Sequence, residues 1–185
     1  MNTIGEAPRI DAHQTEGLIL DRLDALRIHY EHYTHHPVHT IDECLALPYA
    51  EDDVTFCKNI LLCNRQKTEY YLYVTAPQKP FRTADVSKRL GVSRLSFAPD
   101  DALPELLRLY SGALTPLALW LNPDSGIQLV LDREIRQPGR IAFHPAVNTA
   151  TVIFRQEDFF SQVVPALPGE PVFLDVPWPV VSAGA

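Results

Sequence analysis

The sequence predicts a single α+β (mixed α/β) domain. Segments with helical spacing and segments with strand character both occur, yet they do not follow the regular βα order of a doubly wound sheet. No stretch repeats another. A length of 185 residues, 46% hydrophobic and 21% charged, suits one domain with a sizeable core plus tails. The expected organisation is a loose tail over residues 1–14, a domain over 15–164, and a Pro-rich extension over 165–185.

Along the chain, Leu18, Ile19, Leu23 and Leu26 recur at helical spacing and predict an amphipathic helix from Thr15 to Leu26. Ile28 to Thr34 alternates and predicts a strand, ended by His36-Pro37. Thr40 with Glu43 three residues on has the pattern of a capping box. An acidic loop covers Pro48 to Asp53. Val54 to Asn64 and Tyr70 to Thr75 read as two strands of a hairpin joined by Arg65-Gln66-Lys67-Thr68. Thr83 to Leu90 predicts a short helix, capped by Thr83 and ended by Gly91. Leu95 to Phe97 predicts a strand and Asp100 to Leu109 a helix. Leu117 to Leu121 is strand-like, followed by the turn Asn122-Pro123-Asp124-Ser125-Gly126. Ile127 to Leu131 and Thr149 to Phe154 predict strands, and Glu157 to Val164 a closing helix. Five prolines, from Pro165 to Pro179, make the remainder an extended tail.

Bulk features narrow the function classes. No apolar run approaches the roughly 20 residues that span a bilayer, and Met1 to His13 lacks the basic and apolar regions of a signal peptide. Three cysteines, Cys44, Cys57 and Cys63, without a C-x-x-C pair argue against a disulfide framework or a zinc site. Reduced thiols in a cytoplasmic protein follow. The net charge of −7 opposes bulk attraction to nucleic acid. Yet residues 58–94 hold eight basic residues against Glu69 and Asp85, a local +6 that leaves −13 elsewhere. Such a segment is either a set of solvated faces or a receiver for a phosphate chain.

No dinucleotide fingerprint, P-loop, nucleophile elbow or zinc-protease motif is present, so no cofactor is expected. His29, His32, His35, His36 and His39 invite a metal reading, but strand alternation sends His29 and His32 to opposite faces and no further ligand completes a site. Three clusters remain. Lys58 stands inside the apolar run Cys57-Lys58-Asn59-Ile60-Leu61-Leu62, where an ammonium must meet an anion or reach an opening. It is either the polar end of a strand or the cation of a pocket. Gly112-Ala113-Leu114-Thr115-Pro116 is either a helix C-cap or a turn that aims backbone N–H groups at a ligand. His144-Pro145 with Asn148-Thr149-Ala150-Thr151 is either a polar turn or a set of substrate contacts.

In order and spacing, these clusters resemble the aminoacyl-tRNA deacylase family that includes YbaK and the editing insertion of bacterial prolyl-tRNA synthetase. The free-standing PrdX or ProXp-ala branch is the nearest likeness. His36-Pro37-Val38 with Thr40 resembles the family's opening motif and Cys57 to Leu62 its lysine strand. Gly112 to Pro116 resembles its glycine loop, and Leu129-Val130-Leu131-Asp132 and His144 to Thr151 its closing strands. The likeness covers residues 16–164, and Glu170-Pro171-Val172-Phe173 resembles the tail of some members.

The resemblance implies a mixed, mostly antiparallel sheet or partial barrel flanked by helices. It implies hydrolysis of mischarged tRNA, foremost alanyl-tRNA carrying the proline anticodon, with tRNA and prolyl-tRNA synthetase as partners. Lys58 and His144 would be catalytic. Val38, Thr40, Asn59, Leu62, Gly112, Ala113, Leu114, Thr115, Pro116 and Asn148 would bind substrate, Cys57 would be core, and no protein nucleophile would take part. Another small aminoacyl group, cysteine or serine, and a non-catalytic binding module are the alternatives. Two positions depart from the family pattern: His39 stands where phenylalanine is usual, and Ala113 where serine is frequent.

Overall fold

The computed structural model describes residues 11–178. Most of the expected N-terminal tail and residues 179–185 of the Pro-rich extension lie outside them. Helix α1 (Ala12–Ala25) starts three residues before the expected Thr15, because the Asp11 carboxylate accepts from the amides of His13 and Gln14. Its end consumes the start of the expected first strand. Arg27 takes a φ of +56° and the Ile28 amide bonds back to the Leu23 carbonyl, so β1 is only Glu31–Thr34. Helix α2 (Ile41–Leu45) opens on the capping box read from the sequence, with the Glu43 amide 3.2 Å from Thr40 Oγ1.

The expected long strand from Val54 is broken at Cys57. Its parts, β2 (Val54–Phe56) and β3 (Lys58–Cys63), join different sheets. β3 pairs with β4 (Tyr70–Thr75) as the expected hairpin, from Lys58 opposite Thr75 to Cys63 opposite Tyr70. Helix α3 (Thr83–Leu90) ends at Gly91 as expected, at φ +70°, but its N-cap is Arg82 and makes no side-chain bond. β5 is the pair Ser96–Phe97. The expected helix over 100–109 shrinks to one wide turn, Leu103–Leu107. The expected strand at Leu117 is instead a 3₁₀ turn, Pro116–Trp120. A short apolar run does not separate a strand from a buried helical turn, and here proline at the first position and the Thr115 hydroxyl start the turn.

β6 (Gln128–Asp132) and β8 (Ala150–Arg155) match expectation. β7 (Arg140–Phe143) was not anticipated, nor was β9 (Val172–Leu174), which turns part of the extension into a sheet strand parallel to β6. Residues 156–166 form the closing helix, with a wider central turn at Phe159–Val163.

The strands form two sheets, ordered β1-β8-β7-β2 and β5-β3-β4-β6-β9. Four pairings are antiparallel and three parallel. The expected mixed sheet or partial barrel is thus, among the described residues, a pair of mixed sheets that do not close into a barrel. The main core joins them: Leu61, Leu72, Val74, Leu129 and Leu131 of one sheet share a cluster with Ile141, Phe143, Val152 and Phe154 of the other. The intervening residues face outward into two smaller cores. Ala142 and Ile153 meet α2, while Leu62, Tyr73 and Val130 meet α3. Both faces of the inner strands are therefore covered, which explains why they read as continuous apolar runs.

Candidate active site

Where β3 begins, the chain has just left one sheet for the other. That exit opens a cavity of about 430 Å³. Its walls come from the segment before and into α2 (Val38, Thr40, Cys44), from Lys58 and Asn59, from the loop at Gly112 and Leu114, and from His144. Seven sequence-selected residues are brought together here: Val38, Thr40, Lys58, Asn59, Gly112, Leu114 and His144.

Lys58 supplies the ammonium of this wall, and among the described residues no carboxylate lines it. Its Nζ donates to the Lys79 carbonyl at 2.5 Å. Burial holds its pKa below the ordinary lysine value. An ammonium has three donors, so two remain for a ligand. The carbonyl that receives it is itself anchored. Lys79 Nζ, almost completely buried, lies 2.7 Å from Asp132 Oδ2 and 2.8 Å from Glu134 Oε2. Asp132 also accepts from the hydroxyls of Tyr73 at 2.7 Å and Thr75 at 3.0 Å.

Asn59 donates through Nδ2 to the Leu114 carbonyl at 3.0 Å, which ties β3 to the glycine loop. Its Oδ1 is buried without a partner, an acceptor available to a ligand donor. Gly112 has φ +93°, so the loop's turn depends on glycine there. His144 Nδ1 lies 2.8 Å from the Ala150 carbonyl and must carry the proton. Burial pushes the His144 pKa down, so the ring is neutral near pH 7 and Nε2 presents a lone pair. The turn that carries His144 is strained at Ala146, a buried non-glycine residue at φ +64°.

Five selected residues do not line the cavity. Leu62 lies further along β3, fully buried against Tyr73, Val86 and Leu95 beneath α3. Ala113 points into the main core. Thr115 and Pro116 start the 3₁₀ turn. Asn148 supports the wall from behind. Its Nδ2 donates to the Val38 carbonyl at 3.1 Å, and its Oδ1 accepts from the Tyr110 hydroxyl at 2.9 Å. It thereby joins the opening motif to Tyr110, two residues before the glycine loop.

Sequence reasoning missed Cys44, Ile41, Leu103 and Ser111 in the wall, and left His39 there only as a departure from pattern. Cys44 was within reach, since it lies four residues after Thr40 on the same helical face. Cys44 Sγ stands 3.9 Å from His144 Nε2, which resembles a nucleophile and its base. Its chemistry is the reverse: burial, with the Glu43 charge, pushes the thiol up to about 11, where a thiolate nucleophile needs a lowered value. Cys57 sits in the break between β2 and β3, and burial raises its thiol far above the ordinary range. Strand alternation therefore does not separate it from Lys58: Cys57 packs in the main core and also borders the cavity, a wall position that the sequence assigns to the core alone.

Known proteins resemble this chain in sequence and in fold. Residues 35–161 match the model of the aminoacyl-tRNA editing domain. The prolyl-tRNA editing protein ProX of Acetoanaerobium sticklandii is 30% identical over 80% of this chain and 88% of its own length. The mouse prolyl-tRNA synthetase associated domain-containing protein 1 is 33% identical over 83% of this chain and 92% of its own. Among solved structures, the hypothetical protein APE2540 superposes with a TM-score of 0.67 at 17% identity, covering 85% of this chain and 98% of that one. The last likeness is one of fold; the first three are likenesses of sequence, and the family model's residues 35–161 include the cavity-forming segments. This chain belongs to the family of aminoacyl-tRNA editing domains.

Proposed function

We propose that the protein is a trans-editing hydrolase that removes a small amino acid, alanine foremost, from the tRNA for proline. The observation that carries this reading is a cavity whose wall, among the described residues, holds the Lys58 ammonium, no carboxylate and a Cys44 thiol whose pKa burial raises, so that it is not activated. An aminoacyl ester is already reactive, so positioning and charge stabilisation suffice for its hydrolysis. The C–O bond to the ribose breaks, the carbonyl carbon takes the water oxygen, and the departing ribose oxygen takes a proton. A neighbouring ribose hydroxyl assists by holding the water. Lys58 stabilises negative charge as it builds on the carbonyl oxygen or faces the terminal phosphate. Asn59 Oδ1 accepts from the amino group, and neutral His144 shapes the aminoacyl end.

Selectivity is by size. Lost apolar contacts separate alanine from proline by only ~1–3 kcal/mol in a synthetase site, so a second, smaller pocket removes the error. Val38, Thr40, Leu114 and His144 are the proposed walls. The test is deacylation of alanyl-, cysteinyl-, seryl- and prolyl-tRNA at catalytic enzyme concentration, with Lys58→Met alongside. Loss of one such charge stabiliser should lower kcat/KM about 10²- to 10³-fold. Undiminished turnover by the variant would remove Lys58 from the site. Binding of tRNA without turnover of any ester would leave a non-catalytic module.

A further inference from the structure

A second feature lies outside the cavity, on the outer face of the five-stranded sheet. Lys58, Ile60 and Leu62 alternate onto this face of β3, and Leu62 is opposite Phe97 on the edge strand β5. Four residues of strand, at about 3.3 Å each, place Leu62, opposite Phe97, roughly 13 Å along β3 from Lys58. Phe97 is 64% exposed, the most exposed of the large hydrophobic residues described. It is not loose. Its ring meets Phe81 edge-on at 5.6 Å, and Phe81 packs on buried Tyr73 at 5.7 Å.

Cations neighbour this aromatic pair in the chain and on α3. Arg82 and Arg94 are exposed and flank Phe81 and Phe97 in the chain. Lys88 and Arg89 are exposed in the last turn of α3, whose Val86 packs on the same sheet face. Among the described residues, Lys88, Arg89 and Arg94 make no ion pair, and Arg82 has only a 3.9 Å contact with Asp85. Exposed cations without a close ion pair among the described residues, on segments that adjoin an exposed ring and on a chain of net charge −7, suit a polyanion with flat faces. An apolar protein partner would leave those charges uncompensated at the rim.

We infer that the Phe81–Phe97 shelf docks the unpaired 3′ end of an RNA, one base stacked on Phe97 and the phosphates passing Arg82 and Arg94 toward Lys58. The direction of the strand rests on the proposed function; the stacking does not. At about 3.4 Å per stacked nucleotide, the roughly 13 Å of β3 between Lys58 and the residue opposite Phe97 corresponds to roughly four nucleotides.

The test uses an uncharged, fluorescently labelled single-stranded RNA ending in CCA, with binding read by anisotropy. Phe97→Ala should weaken binding about 5- to 150-fold, the span of one lost base–aromatic stack. Phe97→Trp, which keeps a π face, should retain it. Arg82→Gln with Arg94→Gln should reduce the salt dependence by about two phosphate contacts. Unfolding midpoints check that each variant is folded. Unchanged binding by Phe97→Ala, or no binding by the parent protein, overturns the inference. So does a concentration-dependent dimer that Phe97→Ala abolishes while RNA binding persists, which would make the shelf a self-association surface. Because the RNA carries no ester, failure of deacylation would count against the proposed function and leave this result standing.

Discussion

Replacing Lys79 by methionine should be among the most damaging single changes outside the cavity. Lys79 is 2% exposed and Asp132 1%, so the charges at 2.7 Å are both out of water. Removing the ammonium leaves the Asp132 carboxylate buried, with the Tyr73 and Thr75 hydroxyls and the Glu134 amide as donors but no countercharge. Breaking a buried pair by deleting one partner costs about 3–5 kcal/mol, and the surviving donors place this case near 3. That is a large part of a typical total of roughly 5–15 kcal/mol. With a urea slope of about 2 kcal/mol per molar, the midpoint should fall about 1.5 M, read by tryptophan fluorescence. Lys79→Met with Asp132→Asn should cost less than the two single changes together, because the stranded charge is gone. A midpoint shift below about 0.3 M, or simple additivity, would refute the account. The pH dependence has a definite sign. Burial alone would lower the Lys79 pKa, but the Asp132 and Glu134 carboxylates overcome it and hold the value up. The pair's contribution is therefore complete below the unfolded lysine value near 10.4 and is lost as pH rises through the folded one. The same variant should also lower turnover, since the Lys79 carbonyl orients Lys58.

Cys44→Ala should keep deacylation within a few-fold of the parent rate, because its raised thiol pKa makes it wall rather than nucleophile; a loss of a thousandfold would reverse that assignment. Gly139→Ala should destabilise by roughly 3 kcal/mol or more in thermal or urea unfolding. At φ +112° an added Cβ would stand 2.5 Å from the Asp53 carbonyl oxygen, which the Arg140 amide also uses. A stable variant would mean that the junction of β2 and β7 relaxes freely.

Much of the site was legible because its signals are local or chemical. A lysine inside an apolar run, a glycine before a short loop and a histidine before a strand are each costly unless used. Seven residues chosen from those three clusters or the opening motif, Val38, Thr40, Lys58, Asn59, Gly112, Leu114 and His144, meet at one cavity. The misplaced wall residue, Leu62, shows the limit. Its parity along β3 matches that of Lys58, but only the first residues of the strand reach the opening, and Leu62 lies under α3. Asn148 shows another, since its support of Val38 joins residues 110 positions apart.

Short-range chemistry in the chain is enough to set the α2 capping box, the β3–β4 hairpin and the stop at Gly91, because each depends on neighbours within a few residues. The break at Cys57 and the strands β7 and β9 arise from pairing with distant partners. Segments of three or four residues are too short to show a period of their own. The same holds for the cation. Its identity and its need for an opening are written in residues 57–62. What it leans on is the Lys79 carbonyl, anchored by an Asp132 that lies 53 residues further along, and only packing brings those groups together.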